Sequence, residues 1–389
     1  MKADENDKRT EAGTDHAEER DTTPVGPEVP DDPAEHLSEL SQEGYHLLKE
    51  NKLEEARVRF EEILETEPDN NYGLVGLGDL ERRLHRYDQA VTYYLRCLER
   101  HPDNNYALFG LAESYRELKM YNKAVEYWER YLQHDDRNVT VLTRVADAYR
   151  KARNLERSRE LYLKVLEIEE NNAYALIGLG HLHYDFKEYE KARFYWEQMY
   201  ELSGDAVDIR VLTSLGNCHR KLKTYAQGIP YFEEAIKRDP DNFYALYGLA
   251  DCYRGLHQAE RSLEYWQHLL RLDGDNKVIL TRAGDAYRNM GDLDNAEEYY
   301  HRALNIAFDS YAVLGLAIIH RFRKRYEDAI ATLEDLINRD PANSRAVLEL
   351  AGCYEDQRQI PEALAVLARH TNAVRHASRA IQRKIAELS

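Results

Sequence analysis

NNYGLVGLGDLERRLHRYDQAVTYYLRCLERHPDN (residues 70–104) runs directly into NNYALFGLAESYRELKMYNKAVEYWERYLQHDDRN (residues 104–138). The second segment repeats the first at a spacing of 34 residues. A fixed period of this length marks stacked supersecondary units rather than ordinary globular domains. Related units recur at about residues 37–70, 71–104, 105–138, 139–172, 173–208, 209–242, 243–276, 277–309, 310–343 and 344–373.

Each unit reads as two helices. Apolar residues fall at unit positions 4, 7, 8 and 11, as in Leu108, Leu111, Ala112 and Tyr115, which is a helical period. The second half carries a small residue at position 20 and large ones at 24 and 27, as in Ala124, Trp128 and Tyr131. Small residues at 8 and 20 let the two helices approach closely. Pro68, Pro102, Pro240 and Pro341 close their units, and the Asn or Asp that follows suits the N-cap of the next helix.

A helix pair with Leu-Gly/Ala at 7–8, Tyr at 11, Ala at 20, an aromatic at 24 and Pro at 32 resembles the tetratricopeptide repeat (TPR). The resemblance covers roughly residues 37–373 in ten tandem units. It implies an all-α fold, a right-handed α-solenoid superhelix of helix-turn-helix units with a concave groove lined mainly by the first helices. Some family members clamp a partner's C-terminal carboxylate with Lys at position 5 and Asn at 6 and 9. From the second unit onward this chain has Thr, Val, Phe, Ile, Tyr or Leu at position 5, so that clamp is not expected.

Three departures stand out. His183, His219 and His320 replace Tyr at position 11. The fifth unit is two residues longer, near Ser203–Asp208, and the sixth has Gly228 and Pro230 inside its second helix. Pro there removes a helical hydrogen bond, so a kink or a hinge near residues 203–232 is one expectation, and rigid absorption by the neighbouring units is the other.

Two segments flank the array. Residues 1–36 hold twelve Asp/Glu and four Lys/Arg, a net of −8, and few apolar side chains, so they read as a disordered acidic tail. Pro24, Pro27, Pro30 and Pro33 fall every third residue, which favours polyproline II, as a stiff linker or a PxxP ligand. At the other end, over residues 374–389, Val374, Ala377, Ile381, Ile385 and Leu388 form one apolar stripe, expected as a capping helix.

The full chain has 389 residues and a formal net charge of −18. Such acidity argues against nucleic acid as a partner, because phosphate contacts need a basic surface. Cys97, Cys218, Cys252 and Cys353 show no close spacing, so neither a disulfide framework nor a zinc ribbon is expected and a reducing, cytoplasmic compartment fits. The N-terminus has no apolar h-region, and no stretch approaches the ~18 apolar residues of a membrane helix. No P-loop, HExxH or GxSxG motif occurs, so an enzyme is not expected. His181, His183, Cys218 and His219 are the nearest approach to a metal set, but position 11 faces the core and hydrogen-bonded core histidines account for them. No cofactor is expected. Trp128, Trp196 and Trp266 all occupy position 24 and read as core.

The informative stripe lies on the other face of the first helix, at positions 2, 5, 9 and 12. Position 2 is Tyr72, Tyr106, Tyr174, Tyr244 and Tyr311. Position 9 is Asp79, Glu113, Asp147, Asp251 and Asp285, with Asn217 in a sixth unit. Position 12 is Arg82, Arg116, Arg150, Arg220, Arg254, Arg288 and Arg321. The resemblance places these positions in the concave groove. A ladder of Asp–Arg pairs bracing the array explains the charges; a surface gripping a protein or peptide partner, acidic or otherwise, explains the recurrence of Tyr with Arg. The sequence reading is therefore a scaffold for protein partners, with self-association open. The alternative is a polyanion or nucleic-acid binder using the same arginines. The first helices also alternate. Leu142-Thr143-Arg144, Leu212-Thr213-Ser214 and Leu280-Thr281-Arg282 replace the Tyr/Gly pattern in the fourth, sixth and eighth units, and duplication of paired units explains it without function.

Overall fold

A computed structural model describes residues 33–373 and 379–389. The readings of Pro24, Pro27 and Pro30, and those of Val374 and Ala377, lie outside these residues. The described residues form an all-α array of tandem helix pairs, and the chain divides between His134 and Asp135 into two compact bodies.

In the N-terminal body, α1 (Pro33–Lys49) and α2 (Leu53–Thr66) make repeat 1, α3 (Asn71–Arg83) and α4 (Tyr87–Arg100) repeat 2, and α5 (Asn105–Glu117) and α6 (Tyr121–Leu132) repeat 3. In the C-terminal body, α7 (Val139–Lys151) and α8 (Leu155–Ile168), α9 (Ala173–Asp185) and α10 (Tyr189–Ser203), α11 (Ile209–Lys221) and α12 (Tyr225–Arg238), and α13 (Phe243–Gly255) and α14 (Ala259–Leu272) are repeats 4 to 7. There α15 (Lys277–Asn289) and α16 (Leu293–Ile306), α17 (Ser310–Phe322) and α18 (Tyr326–Arg339), and α19 (Ser344–Asp356) and α20 (Ile360–Ala373) are repeats 8 to 10, followed by α21 (Arg379–Leu388). Within each body every helix packs on the one before and the one after it. Residues 33–36, read from the sequence as the end of an acidic tail, are the first turn of α1, where a proline loses nothing because the first N–H groups have no helical acceptor; residues 1–32 of that reading lie outside the described residues.

Local chemistry sets the boundaries. From α3 to α19 every first helix begins behind an Asn or Asp whose side-chain oxygen accepts from a backbone N–H of the first turn. Position 15 of all ten repeats takes the left-handed conformation that turns the chain between the two helices. Gly291 supplies it once; elsewhere it falls on residues such as His85, Lys119 and Arg153.

Positions 8 and 20 face each other. In repeat 6 a Cβ on Gly228 would come 3.1 Å from the Gly216 carbonyl oxygen, and in repeats 4 and 7 the Ser158 and Ser262 hydroxyls donate to the position-8 carbonyls of Ala146 and Ala250 at 2.7 and 2.8 Å. The two-repeat alternation has a packing cause. Where position 24 is Phe60, Tyr94, Tyr162, Phe232 or Tyr300, position 6 of the next repeat is Gly76, Gly110, Gly178, Gly248 or Gly315, and the ring tip occupies the space a Cβ would need. Where position 24 is Trp, position 6 of the next repeat is Arg144, Ser214 or Arg282 instead. The three tryptophans are buried and their indole N–H groups meet no acceptor, a cost that the packing of the rings has to offset.

The long fifth repeat ends in a single 3-10 turn over Gly204–Ala206, entered through Gly204 at φ 52°, ψ −132°, a conformation open only to glycine. α12 runs uninterrupted through Pro230, and the whole of residues 203–232 lies inside one compact body. At the far end Ile381 is fully buried, with Ile385 and Leu388 beside it, against Val347, Ala351, Ala363 and Leu367 of α19 and α20. The apolar stripe of α21 is thereby spent on covering the last repeat.

Candidate functional site: the face of the first helices

The first helices touch along each body, α1 on α3 and α3 on α5, and likewise α7 on α9, α11 on α13, and α15 on α17. Their outward faces carry the stripe of positions 2, 5, 9 and 12. Tyr72, Tyr106, Tyr174, Tyr244 and Tyr311 are 58–78% exposed, although the hydrophobic effect favours covering such rings. They begin each helix just behind its Asn or Asp cap.

The charged positions behave differently, because most are engaged inside the array. Asp79 accepts the Tyr94 hydroxyl at 2.7 Å and Arg82 at 3.1 Å, and Asp285 accepts Tyr300 at 2.8 Å and Arg288 at 3.3 Å. A tyrosine at position 24 thus spans the core and fixes the position-9 carboxylate of its own repeat. Burial, reinforced by Asp79, pushes the Tyr94 hydroxyl well above its ordinary value, so it stays a proton donor. Arg116 pairs with the buried Glu113 at 3.0 Å.

Other arginines bridge successive repeats. Arg150 bonds Asp147 at 2.7 Å and Asp185 of the next first helix at 2.6 Å. Arg220 holds Asn217 at 3.1 Å and Asp251 at 2.8 Å, and Asp251 also takes Arg254 at 2.6 Å. Burial works against the Asp251 charge, yet Arg220 and Arg254 outweigh it and hold that carboxyl below the usual range. Arg321 reaches Asp356 at 2.7 Å and Glu349 at 3.0 Å, and Gly352 leaves the space its guanidinium needs. In each body the stripe sets exposed tyrosines over a braced ladder of guanidinium–carboxylate pairs.

In the N-terminal body this face hollows into a groove of about 720 Å³. α1 supplies Gln42, Tyr45, His46 and Lys49; α3 supplies Asn71, Tyr72, Val75 and Asp79; Asn104, the cap of α5, and Tyr106 in its first turn close it. Tyr45 stands edge-on to Phe60 at 5.2 Å, and burial, with the Asp79 carboxylate beside it, raises its hydroxyl above the ordinary value. Sequence reasoning missed Tyr45 and Gln42, because the first repeat lacks Tyr at position 2 and Arg at position 12. It missed Asp185 and Asp356 too, although both stand at position 13, one residue past the ladder.

Of the position-11 histidines, His183 and His219 are core members, and His320 is half-buried. His183 stacks on Tyr195 at 5.5 Å and its Nδ1 bonds Glu188 at 2.6 Å; His219 stacks on Tyr231 at 5.7 Å and bonds Thr224 at 2.9 Å. His181 points instead at the edge of Trp196 at 4.8 Å. Among the described residues no group of three His, Cys, Asp or Glu could hold a metal ion, and all four cysteines are free and buried. No helix among them is long and apolar enough to cross a membrane.

Tetratricopeptide-repeat family profiles match residues 42–96, 75–139, 144–206, 209–242, 231–264, 279–310 and 323–388. The chain belongs to the tetratricopeptide-repeat family. No curated protein matches it. Among solved structures, it is similar to a tetratricopeptide repeat protein from Parabacteroides merdae at 17% identity, covering 64% of this chain and 98% of that one, with a TM-score of 0.48. YrrB, described as a TPR protein with an unusual peptide-binding site, matches at 18% identity over 49% and 97% of the two chains, with a TM-score of 0.44. Yeast Tom70 matches at 13% identity over 92% and 95%, with a TM-score of 0.42.

Proposed function

We propose that this protein is a non-enzymatic cytoplasmic scaffold whose first-helix faces hold an extended segment of a protein partner. The observation that carries this reading is the set of five exposed tyrosines at one position of the repeat. A fold needs no exposed aromatic ring there, whereas a partner gains rigid amphipathic contact from each. The arginines orient rather than bind alone: their carboxylate partners consume charge, which also weighs against a polyanion or nucleic-acid ligand. Guanidinium donors left over from each pair remain for a partner's carbonyls.

The test replaces Tyr72, Tyr106, Tyr174 and Tyr244 with Ala in the full chain and compares proteins captured from a lysate by quantitative mass spectrometry. Each exposed ring contributes little to the fold, so far-UV circular dichroism should be unchanged. Partners captured by the wild type should fall at least tenfold, about 1.4 kcal/mol in affinity. An unchanged set of captured proteins would refute the reading.

A further inference from the structure

The groove of the N-terminal body draws one tyrosine from each of three successive first helices. Tyr45, Tyr72 and Tyr106 project into it from α1, α3 and α5, three consecutive first helices that touch their neighbours. Helices in direct contact lie about 8–10 Å apart. A polyproline-II strand advances about 3.1 Å per residue with three residues per turn, so prolines three apart recur every ~9 Å on one edge. That repeat is close to the interval between the axes of neighbouring first helices. Proline rings on tyrosine faces are the contact by which aromatic-lined grooves read polyproline II.

The chain itself carries that pattern next to the groove. Pro24, Pro27, Pro30 and Pro33 are spaced by three, and Pro33 opens α1, the helix that forms the groove's first wall. Tyr45 lies twelve residues into the chain from Pro33, about 18 Å along the helix axis. The nine residues 24–32 span about 28 Å as polyproline II, enough to double back over that distance. Glu28, Asp31 and Asp32 between the prolines complement Lys49 on the groove wall.

We propose that the groove is a polyproline-II site whose occupant is this chain's own segment 24–32, held in cis and displaced when a partner binds. The inference rests on the peptide-scaffold reading of the same face and adds to it the ligand's conformation and its competitor.

The test uses a fluorescently labelled peptide of residues 22–33 and three full-length chains, read by fluorescence anisotropy. These are the wild type, the Pro24→Ala/Pro27→Ala/Pro30→Ala chain, and that chain with Tyr72→Ala and Tyr106→Ala added. A tethered segment competes at an effective concentration in the millimolar range. Removing its prolines should therefore tighten peptide binding about tenfold for a site of ~100 μM intrinsic affinity, and the two tyrosine changes should abolish the gain. Equal binding by wild type and proline variant overturns occupancy in cis. So does a difference that grows with protein concentration, which would make a second copy's segment the occupant. Absence of binding to all three chains, or binding indifferent to the tyrosines, overturns the site itself. None of these results touches the lysate capture, in which the C-terminal body's tyrosines also report.

Discussion

Arg150→Ala should separate the ladder into members that brace the array and members that do not. The Arg150 side chain is 11% exposed and makes three hydrogen bonds: two to Asp147, at 2.7 and 3.1 Å, and one to Asp185, at 2.6 Å. Asp147 belongs to α7 and Asp185 to α9, so the guanidinium is a strut between repeats 4 and 5. Charge-assisted bonds contribute about 1.5–3 kcal/mol each when a buried group is left behind, but both carboxylates are about two-fifths exposed and rehydrate. The net loss should be about 2–3 kcal/mol. Arg254 is 39% exposed and shares Asp251 with Arg220, so Arg254→Ala should cost no more than about 1 kcal/mol. Hydrogen exchange resolved on peptides of α7 and α9 for Arg150→Ala and of α13 for Arg254→Ala, together with urea melts, gives both numbers. Arg150→Lys should rescue little, since an ammonium cannot span both carboxylates. A double-mutant cycle with Asp185→Ala should return a coupling of about 1 kcal/mol. Equal costs for Arg150→Ala and Arg254→Ala, or a vanishing coupling, would refute the strut and return Arg150 to the pool of free groove residues.

Two further outcomes check the packing and the core histidines. Gly178→Ala would ordinarily stabilise a helix by about 1 kcal/mol, yet a Cβ there falls under 3.0 Å from two ring carbons and the hydroxyl of the buried Tyr162. Overpacking should win, for a net loss of about 1–2 kcal/mol in a chemical melt, and Tyr162→Leu should reverse the sign; a stabilised single mutant would disprove the alternation's packing cause. Burial lowers the affinity of His181, His183, His219 and His320 for protons. The unfolded chain then binds more protons below about pH 6.5, so stability should fall as pH drops from 7 to 5.5, by at most ~1.4 kcal/mol per pH unit for each histidine. His219→Tyr, which restores the residue most other repeats carry, should flatten the slope, and a melting temperature independent of pH over that window would contradict it.

The period, the helix pairs and their caps were legible in the chain, because they rest on local chemistry. An Asn at position 34 caps the helix directly after it, and small residues at 8 and 20 meet within one repeat, so a single repeat's sequence carries the information. The tyrosine stripe was legible for the same reason: positions 2, 5, 9 and 12 share a face of one helix wherever that helix sits. Tertiary structure decided what depends on the next repeat. The Gly at position 6 is explained by the ring at position 24 of the preceding repeat, some 16 residues upstream, so an alternation that duplication of paired units accounts for also has a steric side that no single repeat reveals. Arg150 and Arg321 find Asp185 and Asp356 thirty-five residues on, a pairing that follows only from the rise and rotation between stacked helix pairs. The groove of Tyr45, Tyr72 and Tyr106 likewise joins different positions of three repeats, since its depth comes from how the helices stack and not from any one helix face.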